Sequence, residues 1–424
     1  MKIYMSEERQ LLVGIDLGRQ ISQISCFDNK IYEPVPVGRM RGDGREYEIP
    51  VAFAINKQTN EWLWGSDAVE AGEEFIHINN LLGYLKSTEK FEVMGYTFRS
   101  KEVLKRFLIK ELSLLKEYYP NDTIKRLVIS TEDEDSKVSE KIADICEELG
   151  IGPDRLVIQT HKQSYMYYAV SQAKELWMNN VGMFEYNLDG LSYSQISIDM
   201  KSLPYIVGVE KRSLADVMPY EMLSSTDDTR LGYAFINVAN TVLHKQMVTT
   251  IYVTGSGFEG RWASDALKSL CNGRRVFRGQ NLFTKGACYA ARELAGEGKL
   301  KEFIFLDEDM ITTDILIRTY HNAKFGEVVL AKAGSRWKEV DASIDVIPDD
   351  EEEIQIIARN VLLHEAKAHI LSLNGFTGRE NRMTRFTVRI RFAGKDTCIV
   401  TLKDNGFGEF CPSTNRVWER YIDI

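Results

Sequence analysis

The order in which strand and helix patterns follow one another constrains this fold more than any single motif. Three successive strand patterns lie between residues 11 and 37, and alternating helix and strand patterns then run from residue 101 to residue 177. The same succession restarts at residue 181 with three strand patterns and continues with alternating helices and strands to residue 294. The chain is therefore predicted to contain two related α/β domains that face each other.

The helices are predicted from apolar residues that recur on one face. The clearest pattern spans residues 136–150, where Val138, Ile142 and Ile145 share a stripe and Gly150 stands at the C-terminal cap position. The other helices are predicted at residues 101–119, 163–177, 231–244, 261–270 and 282–294.

Beyond residue 299 the pattern changes to short alternating runs separated by glycine, asparagine and acidic turns. Such runs predict an all-β sandwich, over about residues 311–410. A chain of 424 residues is too long for one core. We therefore predict domains at residues 1–178, 179–299 and 300–424.

Composition excludes several classes of function. The net charge of −9 argues against a nucleic-acid partner, which would select a basic face. No run reaches the ~18 apolar residues of a membrane span, and the first ten residues are too polar for a signal peptide, so a cytoplasmic location is expected. The six cysteines form no Cys-x-x-Cys pair, and His364 and His369 are five residues apart, so no metal site is predicted.

Several short segments carry a resemblance to a known family and occur in its order: GIDLG at residues 14–18, YEIPVAF at 47–53, WGSDA at 64–68, VTGSG at 253–257 and TKGACYAA at 284–291. They resemble segments of the heat shock protein 70 family, within the actin-like ATPase superfamily. The resemblance implies two duplicated ribonuclease-H-like (actin-like ATPase) lobes, followed by a C-terminal β-sandwich similar to the family's peptide-binding domain.

The resemblance also implies which residues would contact a nucleotide. They are Asp16 and Gly18 in the first phosphate loop, Asp189 and Gly190 in the second, and Gly255, Ser256 and Gly257 in the adenosine loop. Asp16 and Asp189 are the two carboxylates that could bind a metal through water. The alternative for Asp16 is a structural role, in which it caps the turn after the first strand.

Departures from the family pattern affect the phosphate side of the site. Arg19 and Gln20 stand where the family has two hydroxyl residues, and Asn79 stands where it has a lysine, with Lys86 seven residues later. The position of a catalytic glutamate falls on Thr160 or His161. Phosphoryl transfer depends on positioned cations and an oriented nucleophile. We therefore predict no hydrolysis and assign no catalytic residue.

The second loop and the adenine side depart as well. A phosphate loop needs glycine, because backbone amides must approach the oxygens closely, and Leu191 and Tyr193 are expected to intrude. The stretch between Asp189 and Gly255 is shorter than in the family, so the adenine-side subdomain is expected to be missing or reduced to residues 214–228. No cofactor is predicted, and ATP with magnesium is the remaining alternative.

These features favour a pseudo-ATPase chaperone or scaffold that holds a protein or peptide partner. A divergent ATPase or kinase that uses Asp16, Asp189 and Lys86 is the alternative, and a filament-forming protein is a third. Residues 255–260 also match a dinucleotide fingerprint, but a Rossmann site needs an acidic residue after the next strand, and Arg274, Arg275 and Arg278 bracket that strand.

Overall fold

The computed structural model describes residues 10–132, 135–321, 323–348, 353–373, 379–380 and 382–424. Internal contacts divide the chain into two units. The first comprises the residues up to Ser194 together with Lys211–Lys301, and the second comprises Gln195–Glu210 together with Glu302–Ile424. The chain passes between the units at three points: two lie inside strands, and the third, between Lys301 and Glu302, lies outside any helix or strand.

The first half of the first unit contains, in chain order, β1 (Gln10–Leu17), β2 (Ile21–Asp28), β3 (Glu33–Val37), β4 (Arg39–Arg41), β5 (Gly44–Glu46), β6 (Ile49–Pro50), β7 (Phe53–Asn56), β8 (Trp62–Trp64), α1 (Ser66–Val69), β9 (Phe75–Ile78), α2 (Leu81–Ser87), β10 (Lys90–Val93), β11 (Tyr96–Arg99), α3 (Ser100–Tyr118), β12 (Thr123–Thr131), α4 (Ser136–Glu148), β13 (Leu156–Thr160) and α5 (His161–Ser171). The following elements are β14 (Asn180–Asn187), β15 (Gly190–Asp199), β16 (Tyr205–Ser213), α6 (Met222–Ser225), α7 (Asp228–Val242), β17 (Val248–Thr254), α8 (Arg261–Leu270), β18 (Arg275–Arg278) and α9 (Leu282–Leu294). The outer halves of β15 and β16 belong to the second unit.

Two sheets contain the same order of five strands, β13-β12-β1-β2-β3 and β18-β17-β14-β15-β16. In the first sheet β1, β12 and β13 are parallel and β2 runs antiparallel to β1. In the second sheet β14, β17 and β18 are likewise parallel. The prediction of a mixed α/β fold is confirmed, and the repeated succession of patterns corresponds to this shared strand order.

Helices α5 and α9 cross at a contact that leaves no room for a side chain. A Cβ on Gly286 would overlap the backbone carbonyl of Ser164. Next to this contact, the Thr284 hydroxyl donates a hydrogen bond to the carbonyl of Gly14 in β1 (3.1 Å). Tyr165 is fully buried, and its hydroxyl donates to the carbonyl of Val181 in β14 (2.9 Å). Backbone contact therefore holds α5 against α9, and side-chain hydrogen bonds tie α9 to β1 and α5 to β14.

The predicted helices are confirmed, with one exception. The helix expected over residues 163–177 ends at Ser171, and a 3-10 turn follows at Lys174–Leu176. Gln172 is extended, and its carbonyl accepts a hydrogen bond from the indole of Trp177 (3.1 Å). Because Trp177 closes the turn in this way, its apolar side chain is buried without continuing the helix.

The second unit contains β19 (Phe303–Phe305), β20 (Thr313–His321), β21 (Lys324–Ala331), β22 (Asp341–Val346), β23 (Glu353–Asn360), β24 (Glu365–Ser372), β25 (Arg385–Gly394), β26 (Thr397–Gly406) and β27 (Val417–Asp423). Within this unit β19 pairs in parallel with the Tyr205–Val207 part of β16. Antiparallel pairing orders the other strands as β21-β20-β23-β24 and β22-β25-β26-β27. Buried residues of both sheets, such as Ile356 and Val388, share one hydrophobic core. The predicted β-rich C-terminal region is thereby confirmed.

The sequence prediction ended the β structure too early. It placed the last strand before residue 410, whereas β27 pairs with β26 in a register that sets Trp418 opposite Leu402. Of the residues of β27, Ile422 is the buried one, and most of the others are exposed. A strand with so few buried residues shows little alternation in sequence, which explains the error.

No helix in the described ranges is long and apolar enough to cross a membrane. The N-terminal segment on which the absence of a signal peptide was argued lies, apart from Gln10, outside the described residues.

Candidate functional site

A cleft with a volume of about 140 Å³ lies in the first unit, at the ends of several parallel strands. Asp16 near the end of β1, Glu185 near the end of β14 and Thr254 at the end of β17 contribute to its lining. His161, the first residue of α5, lines it as well. In open α/β sheets, ligands bind at the carboxyl ends of parallel strands, so this cleft is the candidate site.

Asp16 and His161 form a close polar pair in the cleft. The Nε2 atom of His161 lies 2.7 Å from Oδ1 of Asp16. The imidazole stacks on the ring of Phe283, with centroids 3.7 Å apart. Its helix begins with a capping box in which Thr160 accepts a hydrogen bond from the backbone N–H of Gln163. The cap and the stacking fix the position of His161 next to Asp16.

Burial and charge shift the pKa values of both partners. Burial raises the pKa of Asp16, and the carboxylates of Glu132 and Glu185 act in the same direction. For His161, burial is the largest single influence and would lower the pKa, but the charge and hydrogen bond of Asp16, together with the charges of Glu185 and Glu132, outweigh it and raise the pKa above the ordinary histidine value. The pair therefore tends to retain a proton between Nε2 and Oδ1.

Glu185 is a second buried carboxylate in the cleft. Its exposed fraction is 5%, and it accepts hydrogen bonds from Lys211 (3.0 Å) and Asn187 (3.2 Å). Its Oε1 atom lies 3.9 Å from Nδ1 of His161. That Nδ1 atom is buried and has no hydrogen-bond partner in the described part of the chain. The imidazole thus lies between the two acidic residues, Asp16 and Glu185.

Arg19 ties the loop after β1 to the loop after β14. Its backbone N–H donates to Oε1 of Glu132 (2.6 Å), and its guanidinium contacts both oxygens of the same carboxylate. The guanidinium also forms an ion pair with Asp189, in the turn between β14 and β15. Glu132 and Asp189 thus hold the Arg19 guanidinium at the cleft. Arg19 stands at one of the two positions where the heat shock protein 70 family, which the sequence resembles, has hydroxyl residues.

The residues predicted to contact a nucleotide are only partly brought together. Asp16, Gly18, Gly255 and Ser256 line the cleft. Three others lie beside it: Asp189 is exposed and paired with Arg19, Gly190 has φ 86° in the hairpin turn, and Gly257 is buried against Tyr186.

The glycine loop after β17 is explained by packing on β14. Gly255 has φ 97°, and a Cβ there would overlap the carbonyl of Tyr186. A side chain on Gly257 would overlap the ring of the same tyrosine. The requirement for glycine therefore follows from contact with Tyr186 in this unit.

The expectation that Leu191 and Tyr193 intrude into a phosphate site is wrong. Both side chains are buried in the hydrophobic core with Phe184 and Phe235, with exposed fractions of 0% and 3%. Successive side chains of a strand point to opposite faces, so residues at alternate positions of β15 enter the core together. The cleft is instead lined from this side by Asn187 and Leu188.

Sequence reasoning missed most of the acidic lining of the cleft. The carboxylates that line it are Asp16, Glu48, Glu132, Glu185 and Glu259. Glu185 could have been found, because it ends an apolar strand as Asp16 does, at the restart of the pattern. Glu48 lies in residues 47–53 and Glu259 in residues 255–260. Both segments were compared with known motifs through their apolar and glycine residues, so their carboxylates were not considered.

The arrangement disfavours a triphosphate. Phosphate sites use backbone amides, lysine, arginine or metal ions to balance charge, whereas acidic side chains dominate this lining. No group of three or more His, Cys, Asp or Glu side chains in the described ranges is arranged to hold a metal ion.

Two family models match the chain. The C-terminal model of a family of unknown function (DUF5716) matches residues 35–308, which is more than half of the 424 residues. The chain belongs to this family. A domain of unknown function (DUF8552) matches residues 310–424, so the boundary between the two matches falls close to Glu302, where the second unit resumes. No curated protein matches the chain significantly.

Proposed function

We propose that this DUF5716 member is a pseudo-ATPase of the fold class of the heat shock protein 70 chaperones, acting as a protein-binding or scaffold module. Three features support the actin-like part of the proposal. They are the shared strand order of the two sheets, the close crossing of α5 and α9 at Gly286, and the strand-end position of Asp16. The antiparallel sheets of the second unit support a β-sandwich of the peptide-binding kind.

The pairing of Arg19 is the main support for the proposed loss of ATPase activity. Its guanidinium is already engaged by Glu132 and Asp189. A γ-phosphate would have to displace these carboxylates and lie beside Asp16 and Glu185, without the lysine of the resembled family. Because phosphoryl transfer depends on cations at the phosphate, such a cleft should neither bind nor hydrolyse ATP.

A thermal-melt titration with ATP and magnesium tests this part of the proposal. A ligand at about 100 times its Kd stabilises a protein by roughly 2.7 kcal/mol, which is a shift of several degrees in Tm. We expect no shift at millimolar ATP and no phosphate release above background. An ATP-dependent rise in Tm, or phosphate release that the Asp16→Asn variant loses, would overturn it.

The partner is proposed to be a protein or an extended peptide. The hairpin of β20 and β21 exposes two aromatic side chains, Tyr320 and Phe325, whose rings lie 5.3 Å apart. Exposed aromatic residues are enriched at protein interfaces. Fluorescence anisotropy with extended apolar peptides should show micromolar or weaker binding that ATP does not change. Tight binding that ATP releases would contradict both parts of the proposal.

A divergent ATPase or kinase is the second candidate, and the Asp16–His161 pair favours it. Titratable residues with perturbed pKa values in a cleft are typical of acid–base sites, and both residues have them. Phosphate release by the purified protein separates the candidates. A His161→Gln variant, which keeps a hydrogen-bond donor, should lose that activity only if the imidazole acts as an acid or base.

A further inference from the structure

We propose that the cleft binds a cationic nitrogen group, either an alkylammonium or a guanidinium. The group would come from a free amine or from a lysine or arginine side chain of a protein partner. The inference rests on the proposed function in one respect, namely that ATP does not occupy the cleft.

The first reason is the charge of the lining. Glu48 and Glu259 line the cleft together with Asp16, which pairs with His161, and Glu185, which pairs with Lys211. Partial burial and the nearby charge of Glu259 raise the pKa of Glu48. An opposite charge placed between such carboxylates would favour their ionised forms, so a cation is the ligand that this electrostatic environment selects.

The second, independent reason is an unsatisfied amide. Gln23 in β2 lines the cleft, with an exposed fraction of 7%. Its Nε2 atom donates to Glu48 (3.3 Å), but its Oε1 atom has no hydrogen-bond partner among the described residues. A buried acceptor without a partner is costly. An N–H donor from a ligand would satisfy Gln23 Oε1, and alkylammonium and guanidinium groups carry several such donors.

The third reason is size. A cavity of about 150 Å³ can hold a group as large as benzene, and the cleft volume of about 140 Å³ is similar. It therefore suits a charged head with a few methylene groups. A second cavity, of about 550 Å³, shares Gln23, Glu48 and Gln280 with the cleft. It is also lined by Glu46, whose Oε2 atom is buried and has no partner in the described part of the chain.

The two adjoining cavities favour a ligand with an extended alkyl stem. The charged head would lie in the smaller cavity, near Gln23 and Glu185, and the remainder would lie in the larger one. A metal ion has no such stem and needs several oxygen ligands converging at short distance, which the described residues do not provide. The chemistry therefore points to an organic cation.

Isothermal titration calorimetry at fixed ionic strength tests the proposal on the full chain. The probes are N-acetyl-arginine amide, N-acetyl-lysine amide and spermidine, with N-acetyl-norleucine amide as the neutral match and Mg²⁺ as the metal. We expect the cationic probes to bind and the neutral amide not to bind. Preference for the side-chain amides identifies a partner protein as the source, and preference for spermidine identifies a free polyamine.

Variants connect the binding to the cleft. Gln23→Leu removes the unsatisfied acceptor, and Glu259→Gln removes a charge at an exposed position. Each should weaken the cationic probes about 10-fold, as expected for the loss of a charge-assisted contact. The matched control Glu61→Gln changes an exposed carboxylate that does not line the cleft, and it should bind as the unaltered protein does.

Three results would overturn the inference: equal binding of the neutral amide, binding that both cleft variants leave unchanged, or binding of Mg²⁺ with none of the amines. Failure here is distinguishable from failure of the proposed function. ATP-dependent stabilisation refutes the pseudo-ATPase and leaves the amine titration as a separate result. Absence of amine binding refutes the cation site and leaves the ATP titration unaffected.

Discussion

Replacing Glu111 with glutamine should stabilise the first unit at neutral pH. Glu111 lies in α3 and is fully buried. Its Oε1 atom accepts a hydrogen bond from the Ser22 hydroxyl (2.6 Å), and its Oε2 atom has no partner within the described ranges. Burial, opposed by that hydrogen bond and assisted by the charge of Asp16, raises the pKa of Glu111 to about 8.

The magnitude follows from linkage between protonation and folding. The carboxyl has a pKa of about 8 in the folded protein and 4.5 as the ordinary value, and each pKa unit corresponds to about 1.4 kcal/mol. The folded state retains a proton that the unfolded state releases. The contribution of Glu111 to stability is therefore fully present below pH 4.5 and falls by roughly 5 kcal/mol as the pH rises through 8. At pH 7 the loss is about 3 kcal/mol, on the same basis.

Glutamine has the same shape and carries no charge, so Glu111→Gln should recover about 3 kcal/mol at pH 7. Its Oε1 can still accept from Ser22. Urea unfolding followed by tryptophan fluorescence, in steps between pH 5 and pH 8, measures the effect. Glu117→Gln is the matched control, because it removes a carboxylate from an exposed position of the same helix. The reasoning is refuted if Glu111→Gln is no more stable than the control at pH 7, or if its stability falls with rising pH as steeply as that of the unaltered protein.

Two further substitutions test the packing of each unit. Gly286→Ala places a Cβ against the backbone carbonyl of Ser164, so it should lower the stability of the first unit by roughly 1–3 kcal/mol; an unchanged Tm would show that α5 and α9 can move apart freely. Asp404 is fully buried in the second unit, and although burial opposes its charge, hydrogen bonds from Arg379 and Thr414 hold its pKa well below the ordinary value. Asp404→Asn should destabilise that unit by about 3–5 kcal/mol and flatten the loss of stability that the unaltered protein shows as the pH falls below about 4. Melts recorded between pH 3 and pH 7 that are identical for the variant and the unaltered protein would contradict this expectation.

Much of the secondary structure could be predicted from local patterns. The helices at Arg261–Leu270 and Leu282–Leu294 begin and end where the apolar periodicity placed them. Gly150, with φ 81°, follows α4 as the cap rule predicts. The patterns failed where burial is sparse, as in β27, and where one side-chain hydrogen bond redirects the chain, as after Ser171.

The candidate site was less accessible from the sequence. Asp16 could be predicted because it ends an apolar strand at a glycine turn. His161 was recognised only as a replacement, and its partner Asp16 is distant from it in the sequence. The pairing of Arg19 with Glu132 and Asp189 likewise joins residues from three separate loops. Such pairs leave no local pattern, because the chain between them carries no information about their distance.

The sequence by itself determined the local elements, their order and the acidic balance of the chain, since each depends on neighbouring residues or on composition. The tertiary structure alone decided that Leu191 and Tyr193 belong to the core and that Gln23, Glu48 and Glu185 line one cleft. The physical reason is that burial, desolvation and charge pairing depend on distances in space. Those distances are set only when β1, β14 and the helices between them pack together.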